Sequence, residues 1–224
     1  MDTVEAISSR HSVRKYLDRP IETAAVEALQ AAIAGINRDN GFNFQLVLDE
    51  PRAFNGMFIS TYGQFHGVKN YFVLAAPKGM EERVGYYGEK LVLLAQTLGL
   101  NTCWVGLTYK KIPGAFSLRK ADVIHCVISL GYGENQGIQH PLRPVERFFE
   151  AYGDVPGWFI EGVKAAVLAP TAVNQQKFKF ILHPSAVVEA RAQFSLIGYT
   201  AIDLGIAKYH FEIGAGKENF TWKA

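Results

Sequence analysis

The chain is poor in cysteine, in long apolar runs and in excess charge of either sign, and each shortage removes a class of protein. Only Cys103 and Cys126 are present. Both lie in apolar stretches, Thr102-Cys103-Trp104-Val105 and Ile124-His125-Cys126-Val127, where reduced, buried thiols are expected rather than a disulfide framework. The six histidines, His11, His66, His125, His140, His183 and His210, show none of the paired spacings with cysteine or carboxylate that hold zinc, so no metal is expected. No apolar run is long enough to cross a bilayer, and Met1-Asp2-Thr3-Val4-Glu5 carries acids where a secretory leader carries a basic and then an apolar stretch. A cytoplasmic protein with no membrane partner is the expectation. The 23 basic and 21 acidic residues are spread along the chain for a net charge of +2, which leaves no footprint for nucleic acid. A small-molecule partner remains.

What the chain does have is ordinary globular composition, 224 residues with 49% hydrophobic and 20% charged, enough for a sizeable core. Residues 22–35 are alanine-rich with apolar positions at helical spacing and acids at the start, and Gly35 suits the C-terminal cap. Residues 42–48, 70–75 and 123–130 read as strands, the last apolar enough to be central. Residues 89–98 form a helix apolar almost all round that ends at Gly99, so neighbours must cover it on most sides. Residues 131–157, rich in glycine and proline, are loop-like and precede a second helical start at Trp158. Within them Gly131-Tyr132-Gly133-Glu134-Asn135-Gln136-Gly137 has glycines near the dinucleotide-binding spacing, but Ile138-Gln139-His140-Pro141 does not open a helix, which excludes a Rossmann site.

A repeat is also legible. Val26 to Leu48 lies over Ile160 to Leu182 without a gap, with identities Glu27/Glu161, Ala31/Ala165, Ala32/Ala166, Asn40/Asn174, Phe44/Phe178 and Leu48/Leu182. At a different offset Val84-Gly85-Tyr86 matches Ile197-Gly198-Tyr199. The expected organisation is therefore two pseudo-repeated halves in one chain, residues 1–150 and a shorter 151–224.

Three segments stand out: Ser9-Arg10-His11-Ser12-Val13-Arg14-Lys15-Tyr16; Ala169-Pro170-Thr171-Ala172-Val173-Asn174-Gln175-Gln176-Lys177-Phe178-Lys179-Phe180; and residues 95–106, with Gly99-Leu100 and Cys103-Trp104-Val105-Gly106. Together they resemble the FMN-dependent nitroreductase family. The first is similar to its N-terminal arginine signature, the second to its Ala-Pro-Ser-x-x-Asn-x-Gln-Pro-Trp-x-Phe loop and strand, and the third to its turn after the long interface helix. The order differs, because the proline-asparagine loop stands near the C-terminus instead of close behind the arginines. Duplication accounts for that: the first copy has Gly35-Ile36-Asn37-Arg38-Asp39-Asn40 where the loop belongs, and the second copy lacks the arginines. The arrangement resembles a single-chain subfamily that mimics the usual dimer.

The resemblance implies an α+β, nitroreductase-like fold, with a central mostly antiparallel sheet flanked by helices and one FMN held between two halves. It implies hydride transfer from NADH or NADPH through FMN to a nitroaromatic, quinone or similar electron-poor acceptor, in a chain that is a monomer as a pseudo-dimer. No protein catalytic residue is required, since the flavin carries the hydride. FMN needs cations for its phosphate and for the ring edge that becomes negative on reduction, and arginine forks suit both. By resemblance Arg10, His11, Ser12 and Arg14 bind the phosphate and the pyrimidine edge; Arg10 and Arg14 share a side either at i, i+4 of a helix or at even spacing in an extended segment. Val105, Gly106 and Leu107 would lie near flavin N5, Arg143 would reach the phosphate, and Pro170, Thr171, Ala172 and Asn174 would cover the flavin from the other half. Each has a plainer reading: a solvated basic surface for the arginines, a loop arginine for Arg143, a capping threonine for Thr171. Thr171 for the family's serine and Lys177 for its proline are departures, and a flavin-binding or cofactor-free protein that kept the fold without turnover is the alternative.

Overall fold

The computed structural model describes residues 1–54 and 64–223. In chain order the elements are α1 (Thr3–Ser9), α2 (Thr23–Asn40), β1 (Asn43–Val47), β2 (Asn70–Pro77), α3 (Glu81–Thr97), β3 (Asn101–Val105), β4 (Asp122–Gly131), β5 (Phe149–Ala151), α4 (Gly157–Val167), β6 (Phe178–His183), β7 (Val187–Ala192), α5 (Thr200–Ala215) and β8 (Thr221–Trp222). They form two compact units that interleave along the chain. One comprises Met1–Ser9, Glu81–Lys90 and His140–Ala224, the other Arg10–Met80 and Leu91–Gln139. The architecture is α+β, as expected, with the strands shared between two four-stranded sheets.

In the unit built from Arg10–Met80 and Leu91–Gln139, the sheet has the order β1-β2-β4-β3 and every pairing is antiparallel. Its central strands are buried, and Tyr71, Val73, Ala75, Val105 and Val127 form one core with Phe54, Val13 and Tyr16. α2 runs five residues past the stop expected at Gly35. Ile36 still has an apolar surface to bury, and Asn37 ties the last turn to β1 by accepting the Phe44 N–H at 2.8 Å and donating to the Phe44 carbonyl at 2.9 Å. The helix ends at Gly41, whose φ of 67° and N–H bond to the Asn37 carbonyl make the left-handed cap. A glycine inside a helix costs only about 0.5–1 kcal/mol relative to alanine.

In the other unit the sheet order is β5-β6-β7-β8, with parallel pairs at both edges and an antiparallel pair at the centre. An aromatic core packs beneath it: Phe180 stacks on Phe211 with centroids 4.5 Å apart, and Phe159 meets Phe211 edge-on at 5.6 Å. α5 is the axis of this unit. A Cβ on Gly205 would stand 1.8 Å from the Glu82 carbonyl oxygen, and one on Gly85 would stand 2.1 Å from that of Ile202, so α5 and the first turns of α3 touch backbone to backbone. On its other side Gly162 of α4 faces Phe211 and Ala215, and Gly214 of α5 faces the Glu161 carbonyl. α3 also begins eight residues before the apolar stretch that starts at Glu89, and Gly85 and Gly88 lie inside it.

The internal duplication is not confirmed. Its first match sets α2 and β1 over α4 and β6, a helix followed by a strand in both. Its second sets Gly85, inside α3, over Gly198, which precedes α5 with a φ of 78°. Among the described residues no helix is long and apolar enough to cross a membrane.

The glycine crossing gives a direct test. Gly205→Ala should cost about 2–3 kcal/mol of unfolding free energy, because the added methyl meets backbone that cannot turn aside. Urea denaturation reads this, and an unchanged midpoint would mean that the helices slide apart freely.

Candidate cofactor site

The residues expected at the site fall into two sets, one in each unit. In the first, the chain leaves α1 at Ser9 and runs extended rather than helical. Ser12 bridges Thr102 of β3 in parallel, Val13 N–H donates to the Thr102 carbonyl at 3.0 Å, and Tyr16 N–H donates to the His66 carbonyl at 3.0 Å. Val13 and Tyr16 sink into the core and hold the segment, and the Tyr16 hydroxyl is bound to Ser129 Oγ at 2.8 Å and donates to the Val13 carbonyl at 2.7 Å. Of the two spacings open to Arg10 and Arg14, the structure takes the extended one.

Arg10, Ser12 and Arg14 gather on the Cys103 side of that segment. Burial pushes the Cys103 thiol up, and the Arg14 guanidinium, the Ser12 hydroxyl and the Arg10 guanidinium each pull it back. Arg10 is only 3% exposed, whereas Arg14 is exposed. His11 is held below its ordinary value, first by burial and then by the Arg10 charge, which favours the neutral ring. Val105 is buried at the end of β3, and Gly106 and Leu107 follow it; Leu107 is 77% exposed. A buried guanidinium, a hydroxyl, a second cation and an open apolar side chain thus lie along two adjacent segments.

The second set lies after α4. Thr171 organises its loop, its carbonyl accepting the Asn174 N–H at 3.0 Å and its Oγ1 the Gln176 N–H at 3.0 Å. Asn174 donates from Nδ2 to the Pro141 carbonyl at 3.3 Å, which brings the segment carrying exposed Arg143 alongside. Pro170 is buried, and Ala172 gives its N–H to Asp203 Oδ1 of α5 at 3.0 Å. The loop is strained: Val173, Asn174 and Gln176 all have positive φ, 46°, 54° and 48°. At Val173 and Gln176 this costs about 1–2 kcal/mol each, and less at Asn174, since asparagine tolerates the left-handed region. Lysine at 177 is compatible with this course, since a proline there would press residue 176 toward extended backbone.

Gln175, Gln176 and Asp203 were given no role by sequence. Gln176 is 2% exposed, and neither polar atom of its side chain has a hydrogen-bond partner; Asn174 Oδ1 and Gln175 Oε1 are in the same condition. Leaving a buried polar atom unmet costs about 1–3 kcal/mol, so four in one short loop make it a candidate surface for a polar ligand. Gln176 stands within the family pattern quoted above. Asp203 left a fainter signal, a lone acid in the apolar run Ile202-Asp203-Leu204-Gly205-Ile206. It is 2% exposed, accepts from Gln175 Nε2 at 2.6 Å, and burial pushes its carboxyl up to about 6 despite the two hydrogen bonds that favour the charged form. Among the described residues no cluster of three or more histidine, cysteine or acidic side chains could hold a metal.

The α+β fold is that of the nitroreductases. A solved structure of a "putative nitroreductase" from Thermotoga maritima is 21% identical and superposes with a TM-score of 0.68 over 97% of this chain and 85% of its own. A Parabacteroides distasonis "Putative NADH dehydrogenase/NAD(P)H nitroreductase" structure has a TM-score of 0.50 and 22% identity, covering 65% of this chain and 95% of that one. In sequence, a Methanothermobacter thermautotrophicus protein with the same description is 26% identical over 163 residues, 64% of this chain and 84% of the relative. Residues 2–215 match the family described as "Putative TM nitroreductase", and the chain belongs to that family.

The Asp203 environment sets a pH dependence. The unfolded carboxyl ionises near 3.8 and the folded one near 6, so the unfolded chain gives up its proton first, and this group's contribution to stability falls as pH rises through that window. The loss is roughly 3 kcal/mol, at about 1.4 kcal/mol per unit. Asp203→Asn should therefore unfold at higher urea than the natural chain at pH 7.5, with the gap closing toward pH 4. An equal gap at both pH values would contradict this.

Proposed function

We propose that the protein is an FMN-dependent oxidoreductase that takes hydride from NADH or NADPH and delivers it to a nitroaromatic, quinone or similar electron-poor small molecule. The observation that carries the reading is the strained loop at 171–176, with four buried amide atoms unmet, in the segment that matches the family's flavin loop. When bound, FMN supplies the chemistry, accepting hydride from the nicotinamide and passing it on.

The chain's own groups bind and orient. Arg10 and Arg14 meet negative charge at the phosphate or at the pyrimidine edge, with Ser12 adding a hydroxyl donor and His11 beside them. Backbone at Val105, Gly106 and Leu107 would hold the N5 edge, where an N–H would favour the reduced form, and Arg143 would add a cation for the phosphate. Pro170, Thr171, Ala172 and Asn174 cover the ring, and the Gln176 carboxamide supplies a donor and an acceptor to it. Buried Arg10 gives its charge in a medium that screens it little, while exposed Arg14 acts more weakly. The chain works as a monomer in the cytoplasm, a reading supported by α3 and α5, whose first turns already cover one another at Gly85 and Gly205. Light scattering of the flavin-bound protein should give one chain per particle; an obligate dimer would count against this.

The test is spectroscopic. Purified protein titrated with FMN should retain yellow flavin that bleaches under anaerobic NADH or NADPH, and colour should return with a quinone. Arg14→Ala, chosen because its exposed side chain bears no packing load, should weaken FMN binding about 10-fold or more, charge-assisted contacts being worth roughly 1.5–3 kcal/mol. Flavin bound but never bleached would favour a non-catalytic flavin protein, and no flavin retained would favour a cofactor-free one.

A further inference from the structure

The course of the loop at 172–176 is one that its own residues do not favour. Val173 is β-branched, a residue type for which positive φ is a genuine outlier, and Asn174 and Gln176 share that conformation. What opposes the strain lies on α5. Asp203 Oδ1 takes the Ala172 N–H at 3.0 Å and Oδ2 takes Gln175 Nε2 at 2.6 Å. The same Nε2 donates to the Gly198 carbonyl at 2.9 Å, so Gln175 is pinned to the start of α5 from two directions. Asp203 cannot retreat, because two residues on Gly205 lies against the Glu82 backbone with no room for a methyl. It also stands in the first turn of α5, where the helix dipole favours a negative charge.

We propose that Asp203 is a positioning residue: by holding Ala172 and Gln175 it imposes the strained course of the loop, and so presents the Asn174 and Gln176 carboxamides to the flavin. The proposal rests on the FMN reading given above. A carboxamide sets a donor beside an acceptor, which complements a ring edge with adjacent N–H and C=O groups. Burial raises the carboxyl of Asp203, so its charge is kept at a cost in stability, as is common where a group serves a site rather than the fold. Replacement by asparagine removes one of the two clamps. If the new carboxamide keeps its oxygen toward Ala172, its nitrogen faces the Gln175 donor, and Gln175 must turn and release Gly198; if the carboxamide turns instead, the Ala172 bond goes.

The experiment titrates apo protein with FMN at pH 7.5 by flavin fluorescence, for the natural chain and for Asp203→Asn, with apo melting temperatures and the visible spectrum of the saturated complex. The expected result is at least a roughly 10-fold higher Kd for the variant, about the loss of one hydrogen bond to a charged group, and a shifted flavin absorbance band, with a melting temperature equal to or above that of the natural chain. Equal Kd and superimposable spectra would overturn the positioning role while leaving the FMN reading intact. A higher Kd accompanied by a lower melting temperature would overturn it too, reducing Asp203 to a structural residue. A natural chain that binds no FMN would remove the reading beneath the proposal, and the proposal with it.

Discussion

Helix α5 is held where it is by an absence of side chains. At Gly205 against Glu82, and at Gly85 against Ile202, the separation leaves no space for a single methyl group, and Gly162 and Gly214 impose the same condition between α4 and α5. Contacts of this kind are bistable rather than adjustable: a helix slid or rotated by one residue would drive a side chain into backbone. The register of α5 is therefore fixed on two sides, and every group it carries inherits that precision.

The groups it carries are unusually polar for a buried helix. His210 is fully buried between two acceptors, the Ala165 carbonyl at Nδ1 and Glu89 Oε1 at Nε2. A carbonyl only accepts, so Nδ1 bears a hydrogen, and one further proton lies between the ring and Glu89 whichever of them holds the charge. Glu212 accepts from the Tyr86 hydroxyl and, at 2.6 Å, from Trp222 Nε1; the Tyr86 hydroxyl is pushed far up by burial and by that carboxylate. Such networks add little to stability compared with an apolar replacement, but they penalise any misregister severely, because a displaced buried charge loses its partner. They act with the glycines, the one excluding wrong registers by volume and the other by electrostatics.

Asp203 belongs to the same helix and uses the same fixity in a different direction, toward the loop at 171–176. The strain there and the unmet amides of Asn174, Gln175 and Gln176 are what a chain consulting only its own stability would avoid. The arginine segment achieves its order by other means. It is an extended run pinned to β3 and to the Tyr132–Gly133 turn by backbone bonds, with Val13 and Tyr16 as apolar anchors, and it carries two guanidinium groups past a buried thiol. Rigid scaffolding that presents polar groups is the common property of the two sets, and it is what a preorganised binding site needs.

Much of this was legible in the sequence, because the signals were local. Period-two alternation located β1, and apolar runs located β2 and β4, each to within two residues, and the three motif segments pointed to the family and to both polar sets. Helix limits were less legible: Gly35, Gly85 and Gly88 look alike as letters, yet each lies inside a helix, while Gly41 is a stop. Whether a glycine ends a helix or admits a neighbour depends on what lies across from it, and that information is held elsewhere in the chain. The same applies to Asp203, which stands 31 residues from Ala172 and 28 from Gln175 and whose role exists only through their contact. Sequence determined which chemistry was available, since residue types and short-range spacing carry that directly. Tertiary structure alone decided which amides are buried without partners and which carboxylate holds them there, because burial and pairing are set by packing between segments far apart in the chain.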